Sequence, residues 1–258
     1  MKIVMKWLPI TVVFLIAGCS SQELPTSQTP SPPKTMTEKS SWNDTARSDL
    51  RETLQNCVVG EVRLSKSGHD DIIQSCREVY IEDECPEDEW ESFVRFASDE
   101  LKKAEAAHAA AQATWPPETD CDRLDQVEAA LRDRGILLWQ ASPCCDTCTG
   151  GELPDRIHEL ERRYPGFRNK VCGYTFFIDQ NMADMLAEDT NISVYLGYGW
   201  LSQEESSVAP DVYEANALDI AREVCDCLRK HGFKSNWDGS FSKKIGISLN
   251  WQRRAMLQ

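Results

Sequence analysis

The sequence predicts an α+β fold in which helices pack against a mixed β-sheet of about five short strands, preceded by a helical N-terminal section. Two observations predict this class. Helical patterns alternate with short strand patterns in the second half of the chain, and the last two strands flank a hairpin-turn signal at Asp238-Gly239. We predict one globular domain over residues 42–258, with a helical section over 42–118 and an α+β section over 119–258.

The helical section contains three predicted helices. Residues 44–57 place apolar side chains on one helical face, residues 69–81 repeat that spacing, and a third helix ends at the Trp115–Pro117 run. The third helix follows residues 82–91, of which seven are acidic. A calcium-binding loop needs alternating oxygen ligands around a glycine, and this segment has no glycine. We therefore interpret its carboxylates as a solvated face that complements the helix dipole.

The α+β section alternates helices with strands. Its first helix is capped by Thr119 or Asp120 and is ended by Gly135. The later helices are predicted over residues 154–163, 180–188 and 211–230, and the strands over 136–140, 172–178, 192–198, 233–237 and 244–249. This order of elements predicts helices packed against a mixed sheet.

The N-terminus has the pattern of an export signal. Lys2 and Lys6 precede an apolar run over residues 7–17, which is too short to span a bilayer, since a spanning helix needs ~20 apolar residues. The run ends in Leu15–Ser20, which resembles a lipoprotein box, with small residues directly before Cys19. We expect a signal peptide over residues 1–18. An uncleaved anchor and an ordinary signal peptide are the alternatives.

A lipid-bearing Cys19 predicts a protein of the cell envelope that is anchored to membrane lipid and faces away from the cytoplasm. Ser20, in place of an acidic residue after the cysteine, resembles the sorting pattern of the outer membrane, if the cell has two membranes. Residues 19–41 are rich in Ser, Thr and Pro and predict a linker.

The composition is strongly acidic. The chain has 28 basic and 42 acidic residues and a net charge of −14, which loss of Lys2 and Lys6 with the leader makes more negative. Such a surface repels phosphate backbones, so we expect no nucleic-acid partner. The sequence does not indicate a particular protein or small-molecule partner.

The cysteines are the most informative residues for chemistry. Ten remain after Cys19: Cys57, Cys76, Cys85, Cys121, Cys144, Cys145, Cys148, Cys172, Cys225 and Cys227. An even number in an oxidising compartment is typical of disulfides, although the sequence does not specify their pairing. Cysteine is too sparse here for a disulfide scaffold, so an apolar core should stabilise the fold.

The run Cys144-Cys145-Asp146-Thr147-Cys148 is compatible with three chemistries. The cysteines can form structural disulfides, or they can bind zinc with a fourth ligand from His158 or Cys172. They can also form a redox pair at Cys145 and Cys148, which requires a helix N-terminus to favour the thiolate. Gly150, Gly151 and Pro154 follow, so we expect no helix directly after the cysteines, and this weakens the redox interpretation.

A second set of polar and aromatic residues has the composition of a ligand site. Its members are Asp120, Arg123, Trp237, Asp238, Trp251, Arg253 and Arg254. Trp251 beside two guanidinium groups suits an anionic ligand. The alternative is structural, because Asp120 suits a helix cap, Trp251 suits packing, and the arginines can pair with surplus carboxylates.

Several motifs together resemble a known family. They are Gln112–Pro116, Thr119–Leu124, Arg134–Ile136, Cys144–Cys148, Gly173–Phe177 with Gln180, Leu196–Gly199, Trp237–Ser240, Lys244–Ile245 and Trp251–Arg254. Over roughly residues 85–255 the chain resembles an uncharacterised bacterial family, domain of unknown function 6891. The resemblance implies no particular reaction, since the family has no established activity. Many of its members look cytoplasmic and keep the cysteine run, which implies a role other than an oxidised bridge.

The chain departs from the family pattern at two places. Ser142-Pro143 replaces the usual Phe-Thr, and Phe177–Asn181 replaces the usual Phe-His-x-Gln-Asp, so a histidine and an acid are missing. Our leading hypothesis is a membrane-tethered, non-catalytic binding or structural module whose cysteine run is structural or binds metal. The rival hypothesis is an enzyme that uses Cys144, Cys145 and Cys148 as redox thiols or as a zinc site.

Overall fold

The computed structural model describes residues 42–143, 145–202 and 208–254. The predicted leader, Cys19, the linker and Cys144 lie outside the described residues. The described chain forms two compact units. The helical unit comprises residues 42–116, Ala183–Thr190 and 252–254, and the sheet unit comprises Pro117–Met182 and Asn191–Trp251.

The helical unit is built on two long helices. Its elements are α1 (Asp44–Leu64), α2 (His69–Ser75), a π-helix (Cys76–Ile81), α3 (Glu82–Glu84), a 3-10 turn (Glu87–Glu89), α4 (Trp90–Gln112) and most of α8 (Met182–Glu188). The α1 helix begins where the Asn43 side chain accepts a hydrogen bond from the Ala46 N–H at 3.0 Å. Its face of Leu50, Leu54 and Val58 is fully buried against α4.

The sheet unit contains the rest of the elements. They are α5 (Asp120–Asp133), β1 (Ile136–Ser142), α6 (Asp146–Arg163), α7 (Phe167–Lys170), β2 (Gly173–Ile178), β3 (Asn191–Trp200), α9 (Pro210–Lys230), β4 (Ser235–Asn236) and β5 (Ile245–Asn250). The strand order is β1-β2-β3-β5-β4. The β1–β2 pair is parallel and every other pair is antiparallel, so the predicted α+β class with a mixed five-stranded sheet is confirmed.

Helices cover the sheet. Helix α5 contacts β1, and α9 contacts β2 and β3. A second cluster joins apolar residues of α6, such as Leu153 and Ile157, with Tyr174 and Phe176 of β2. Within the described residues, no helix is both long and apolar enough to cross a membrane.

Three predictions about the bounds of elements were wrong. Helix α1 ends at Leu64, seven residues beyond the predicted end at 57. Helix α6 begins at Asp146, eight residues before the predicted start at 154. The last hairpin has no two-residue turn, because β4 contains only Ser235 and Asn236 and residues 237–244 form the connection. Trp237 closes this connection by donating from its indole N–H toward the carbonyl oxygens of Ser240 and Lys243, each at 3.2 Å.

Candidate functional site

The cysteine run lies where β1 passes into α6. Ala141, near the end of β1, has a left-handed φ of 47°, and the pairing with β2 is irregular between Trp139 and Ser142. This irregularity aims the Ser142 hydroxyl at two partners, the Thr149 hydroxyl at 2.8 Å and the Phe177 carbonyl at 3.2 Å. Ser142 and Thr149 are both fully buried, so they fix the first turn of α6 to the end of the sheet.

Cys145 and Cys148 form a close pair of thiols in that first turn. Cys145 is the N-cap of α6, and its sulfur accepts a hydrogen bond from the Cys148 N–H at 3.4 Å. The two Sγ atoms are 3.2 Å apart, and both residues are partly exposed. The two residues form a vicinal cysteine pair, called the dithiol below, at a helix N-terminus that solvent can reach.

The expectation that no helix follows the cysteines was therefore wrong. A glycine in a helix interior costs roughly 1 kcal/mol relative to alanine, and proline removes a hydrogen-bond donor. Burial of Thr149, Leu153 and Ile157 along one face of α6 outweighs these costs. Tertiary packing overrides the local preference of Gly150, Gly151 and Pro154.

An ion pair lies beside the dithiol. Asp146, the first residue of α6, holds the Lys244 ammonium group with its Oδ2 atom at 2.6 Å. Its Oδ1 atom is buried and has no hydrogen-bond partner among the described residues. The pair joins the start of α6 to the residue before β5, so it fixes the loop that carries the cysteines.

Of the predicted zinc ligands, Cys144 lies outside the described residues, and Cys172 and His158 do not approach Cys145 and Cys148. The parallel register Ile136↔Gly173 places Cys172 at the opposite end of the β1–β2 pair from Cys145. The Cys172 sulfur lies 3.6 Å from the carbonyl oxygen of Gly135. His158 is exposed and ten residues beyond Cys148 on α6, or about 15 Å along the helix axis. Among the described residues, which omit Cys144, no metal-binding group of three His, Cys, Asp or Glu residues occurs.

Asp120 and Arg123 make contacts within the fold at the start of α5. The N-cap is Thr119, which forms a reciprocal capping box with Asp122. Asp120 pairs with Arg123 and also accepts a hydrogen bond from the Asn250 N–H at 2.9 Å. The Arg123 guanidinium group lies 5.2 Å from the Phe233 ring.

Trp237 and Asp238 lie in the connection between β4 and β5. Asp238 Oδ1 accepts hydrogen bonds from the N–H and the hydroxyl of Ser240, which hold the pKa of this carboxyl below its usual range. The Trp237 ring packs edge-on against Tyr198 with centroids 5.8 Å apart. These contacts shape the connection, as a turn signal predicts.

The C-terminal candidates are divided between the units. Trp251, in the sheet unit, is buried edge-on against Phe177. Arg253 and Arg254 belong to the helical unit. The Arg253 carbonyl oxygen lies 3.2 Å from Nε2 of His108, and the Arg254 guanidinium group donates to the Pro116 carbonyl at 2.7 Å.

Sequence reasoning missed four residues around the dithiol: Ser142, Thr149, Asp146 and Lys244. Ser142 stands where the family usually has another residue, which is a signal that the sequence offered. Lys244 is more than ninety residues from Asp146, and only the position of β5 in the sheet brings it to the site.

Comparison with known proteins gives a family and no activity. A family model described as a domain of unknown function, DUF6891, matches residues 47–255. This confirms the resemblance that the motifs predicted, and the match also includes most of the helical unit. No curated protein and no solved structure matches the chain.

Proposed function

This chain belongs to the DUF6891 family, a domain of unknown function, and we propose that its Cys145–Cys148 dithiol exchanges with disulfides of other molecules. The observation that supports the proposal is the 3.2 Å sulfur–sulfur contact at the N-terminus of α6. A disulfide requires a sulfur–sulfur bond of ~2.05 Å, so a small rotation of the side chains closes the pair.

The helix N-terminus supplies the electrostatics that this reaction needs. Thiol–disulfide exchange requires a thiolate as the attacking group. The first turn of α6 directs a backbone N–H at the Cys145 sulfur and presents the positive end of the helix dipole to both cysteines. Both features stabilise a negative sulfur. They favour the redox hypothesis over a purely structural cysteine run.

The two cysteines of the dithiol are sufficient for the complete exchange, in which atoms and electrons are conserved. The Cys145 thiolate attacks one sulfur of a substrate disulfide, forms a mixed disulfide and releases the first substrate thiolate. The Cys148 thiolate then attacks the Cys145 sulfur, which closes the Cys145–Cys148 disulfide and releases the second substrate thiolate. The protein dithiol loses two electrons, the substrate disulfide gains them, and the two protons pass to the released thiolates. When the pair starts as the disulfide, the same steps run in reverse and two thiols of the substrate supply the electrons.

Trapping the mixed disulfide tests this order of attack. We expect Cys148→Ser protein to retain a substrate thiol on Cys145 when it is mixed with a disulfide-bonded peptide, and Cys145→Ser protein not to turn over that peptide. Cys144→Ser and Cys172→Ser are matched controls that should keep exchange. Retained exchange in Cys145→Ser protein, or zinc bound by Cys145 and Cys148 that blocks exchange, would refute the proposal.

We also propose that Cys19 anchors the protein by a lipid on the outer side of the membrane. The leader that the sequence predicts over residues 1–18 supports this location. A chain with a net charge of −14 is repelled by anionic lipid heads, which suits a domain on a tether. Metabolic labelling with a tritiated fatty acid should label the wild-type chain and leave Cys19→Ala unlabelled. A full-length, unlabelled wild-type chain in the soluble intracellular fraction contradicts this location.

A further inference from the structure

A second pair of cysteines lies in the core of the helical unit. Cys57 is on the inner face of α1, and Cys76 is the first residue of the π-helix that follows α2. Their Sγ atoms are 3.8 Å apart. Cys76 is fully buried and Cys57 is 8% exposed.

The surroundings of this pair hold the two sulfurs at one place. Helix α1 packs against the π-helix, and the π-helix also contacts α4. Cys85, the other buried cysteine of this unit, directs its thiol at the Pro86 carbonyl oxygen at 3.3 Å. Cys57 and Cys76 are therefore preorganised for each other.

We infer that Cys57 and Cys76 are oxidised to a structural disulfide that joins α1 to the π-helix when the chain folds outside the cytoplasm. The inference rests on the proposed location of the protein, because exported proteins meet oxidising conditions. It concerns cysteines that the proposed exchange reaction does not use.

The oxidant is a reactive disulfide of a second protein in that compartment. The Cys57 thiolate attacks this disulfide before the core closes, forms a mixed disulfide and releases one thiolate of the oxidant. The Cys76 thiolate then attacks the Cys57 sulfur, and the second thiolate of the oxidant leaves. Two electrons pass from Cys57 and Cys76 to the oxidant, and the two released protons end on its thiols.

Burial separates the roles of the two pairs. Cys145 and Cys148 are partly exposed, so a folded substrate can reach them. A reductant reaches the Cys57–Cys76 bond only when the helical unit opens. The inner disulfide should persist under mild reducing conditions that convert Cys145–Cys148 to thiols.

Trypsin digestion gives a direct test, because Cys57 and Cys76 lie on separate short peptides. Cleavage after Arg51, Arg63, Lys66 and Arg77 yields residues 52–63 with Cys57 and residues 67–77 with Cys76. The full-length chain is expressed with its leader, alkylated before lysis and digested without reductant. We expect mass spectrometry to find these two peptides joined.

A refolding arm separates the failure of this inference from the failure of the proposed location or exchange reaction. The full chain is reduced, unfolded and diluted into oxidised and reduced glutathione. Joined peptides in this arm support the Cys57–Cys76 pairing. This result depends neither on where the chain lies in the cell nor on whether Cys145→Ser protein loses thiol exchange. Separately alkylated Cys57 and Cys76, or either one joined to the Cys85 peptide, overturns the inference.

Thermal unfolding provides the second readout. Chain refolded with glutathione should unfold at a midpoint roughly 10 °C above chain refolded with excess reductant, since the bond closes a loop of nineteen residues. Most of the difference should be lost in Cys57→Ala/Cys76→Ala and all of it should remain in the matched control Cys85→Ala. A difference of undiminished size in the double variant contradicts the assigned pair.

Discussion

Single side chains hold the dithiol in place. The buried hydroxyls of Ser142 and Thr149 share a hydrogen bond at 2.8 Å, and Ser142 also donates to the Phe177 carbonyl. The α6 N-terminus is thus fixed by polar contacts inside the fold, where an unsatisfied group is costly. The left-handed backbone at Ala141 is the local cost of this arrangement.

We predict that Thr149→Val lowers the free energy of unfolding by about 1–2 kcal/mol, because it removes a buried hydrogen bond with little change of shape. Urea denaturation measures the change. Ser193→Ala is the control, since the Ser193 hydroxyl is bonded to the Ser248 hydroxyl at the same distance but is exposed. Equal losses in both variants would show that burial is not the deciding factor.

A partly buried glutamate should make stability fall with rising pH. Desolvation raises the pKa of Glu128 on α5, although the carboxylate accepts a hydrogen bond from Gln140 at 2.8 Å. An acid with a raised native pKa binds its proton more tightly when folded, so stability is lost as pH rises through that native pKa. Glu128→Gln should be more stable than wild type at neutral pH, and the gain should disappear in acid.

Glu161 provides the opposite control. The N–H groups of Gly166 and Arg168 lower the pKa of this carboxyl, so its contribution is present above the usual glutamate range and is lost on acidification. Glu161→Gln should be less stable than wild type at neutral pH and equal to it in acid. Urea denaturation across pH measures both variants, and parallel pH profiles would contradict the two assignments.

Residue identity alone predicted part of the site. Three cysteines within five residues identified the region, because thiols so close in sequence can face one point. The partners of the dithiol were not predictable in the same way. Ser142 reaches the site through a strand irregularity, and its only sequence signal is the departure from the family pattern. Lys244 reaches it through the position of β5, which leaves no local pattern in the sequence.

At the scale of an element, two glycines in helix interiors illustrate opposite constraints. A Cβ atom on Gly60 of α1 would lie 2.0 Å from the backbone oxygen of Ala183, whereas one on Gly151 of α6 would meet nothing within 4 Å. Gly60→Ala should lower the free energy of unfolding by about 1–3 kcal/mol through overpacking. Gly151→Ala should raise it by about 0.5–1 kcal/mol through helix propensity.

Urea denaturation of the two variants checks this contrast. A stabilising Gly60→Ala would show that the approach of the Ala183 backbone to α1 is looser than the structure describes. Because Gly151 lies three residues beyond Cys148, thiol exchange in Gly151→Ala also reports whether a stiffer first turn alters the dithiol.

Element prediction succeeded where periodicity was strong and failed where composition opposed packing. Helix α9 and the start of α1 followed from the spacing of apolar residues, although α1 continues seven residues beyond its predicted end at 57. Helix α6 was predicted too short because Gly150, Gly151 and Pro154 disfavour a helix locally. Strand β4 was predicted too long because the aromatic side chain of Trp237 suits a strand as well as the connection that it closes.

At the scale of the whole molecule, net charge should govern the response to salt. A net charge of −14 gives long-range repulsion that opposes the compact state, and salt shortens its range from ~30 Å at 0.01 M to ~8 Å at 0.15 M. We predict that this change in salt raises the free energy of unfolding, by less than about 1 kcal/mol. Glu84→Gln/Asp88→Asn, which neutralises two exposed acids, should respond less. A fall in stability with salt would mean that ion pairs dominate.

The overall fold was accessible from the sequence to the level of class, and the arrangement of the site was not. Alternation of helices and strands predicted a mixed sheet, which the strand order confirms. The parallel pairing of β1 with β2 decides that Cys172 and Cys145 lie at opposite ends, and this register depends on contacts between distant segments. The sequence therefore suggested Cys172 as a zinc ligand beside Cys145, but the register of the sheet separates the two residues.

The π-helix at Cys76–Ile81 has a consequence for how the family varies in length. A π turn contains one residue more than an α turn, and the exposed Val79 lies within it. In a homologue that lacks one residue here, the π turn can become an ordinary α turn. The helical segments on both sides then still direct the same side chains into the core. Elsewhere in a helix, such a deletion would turn every later side chain by about 100° about the axis. Natural deletions in the helical unit should therefore concentrate at this turn.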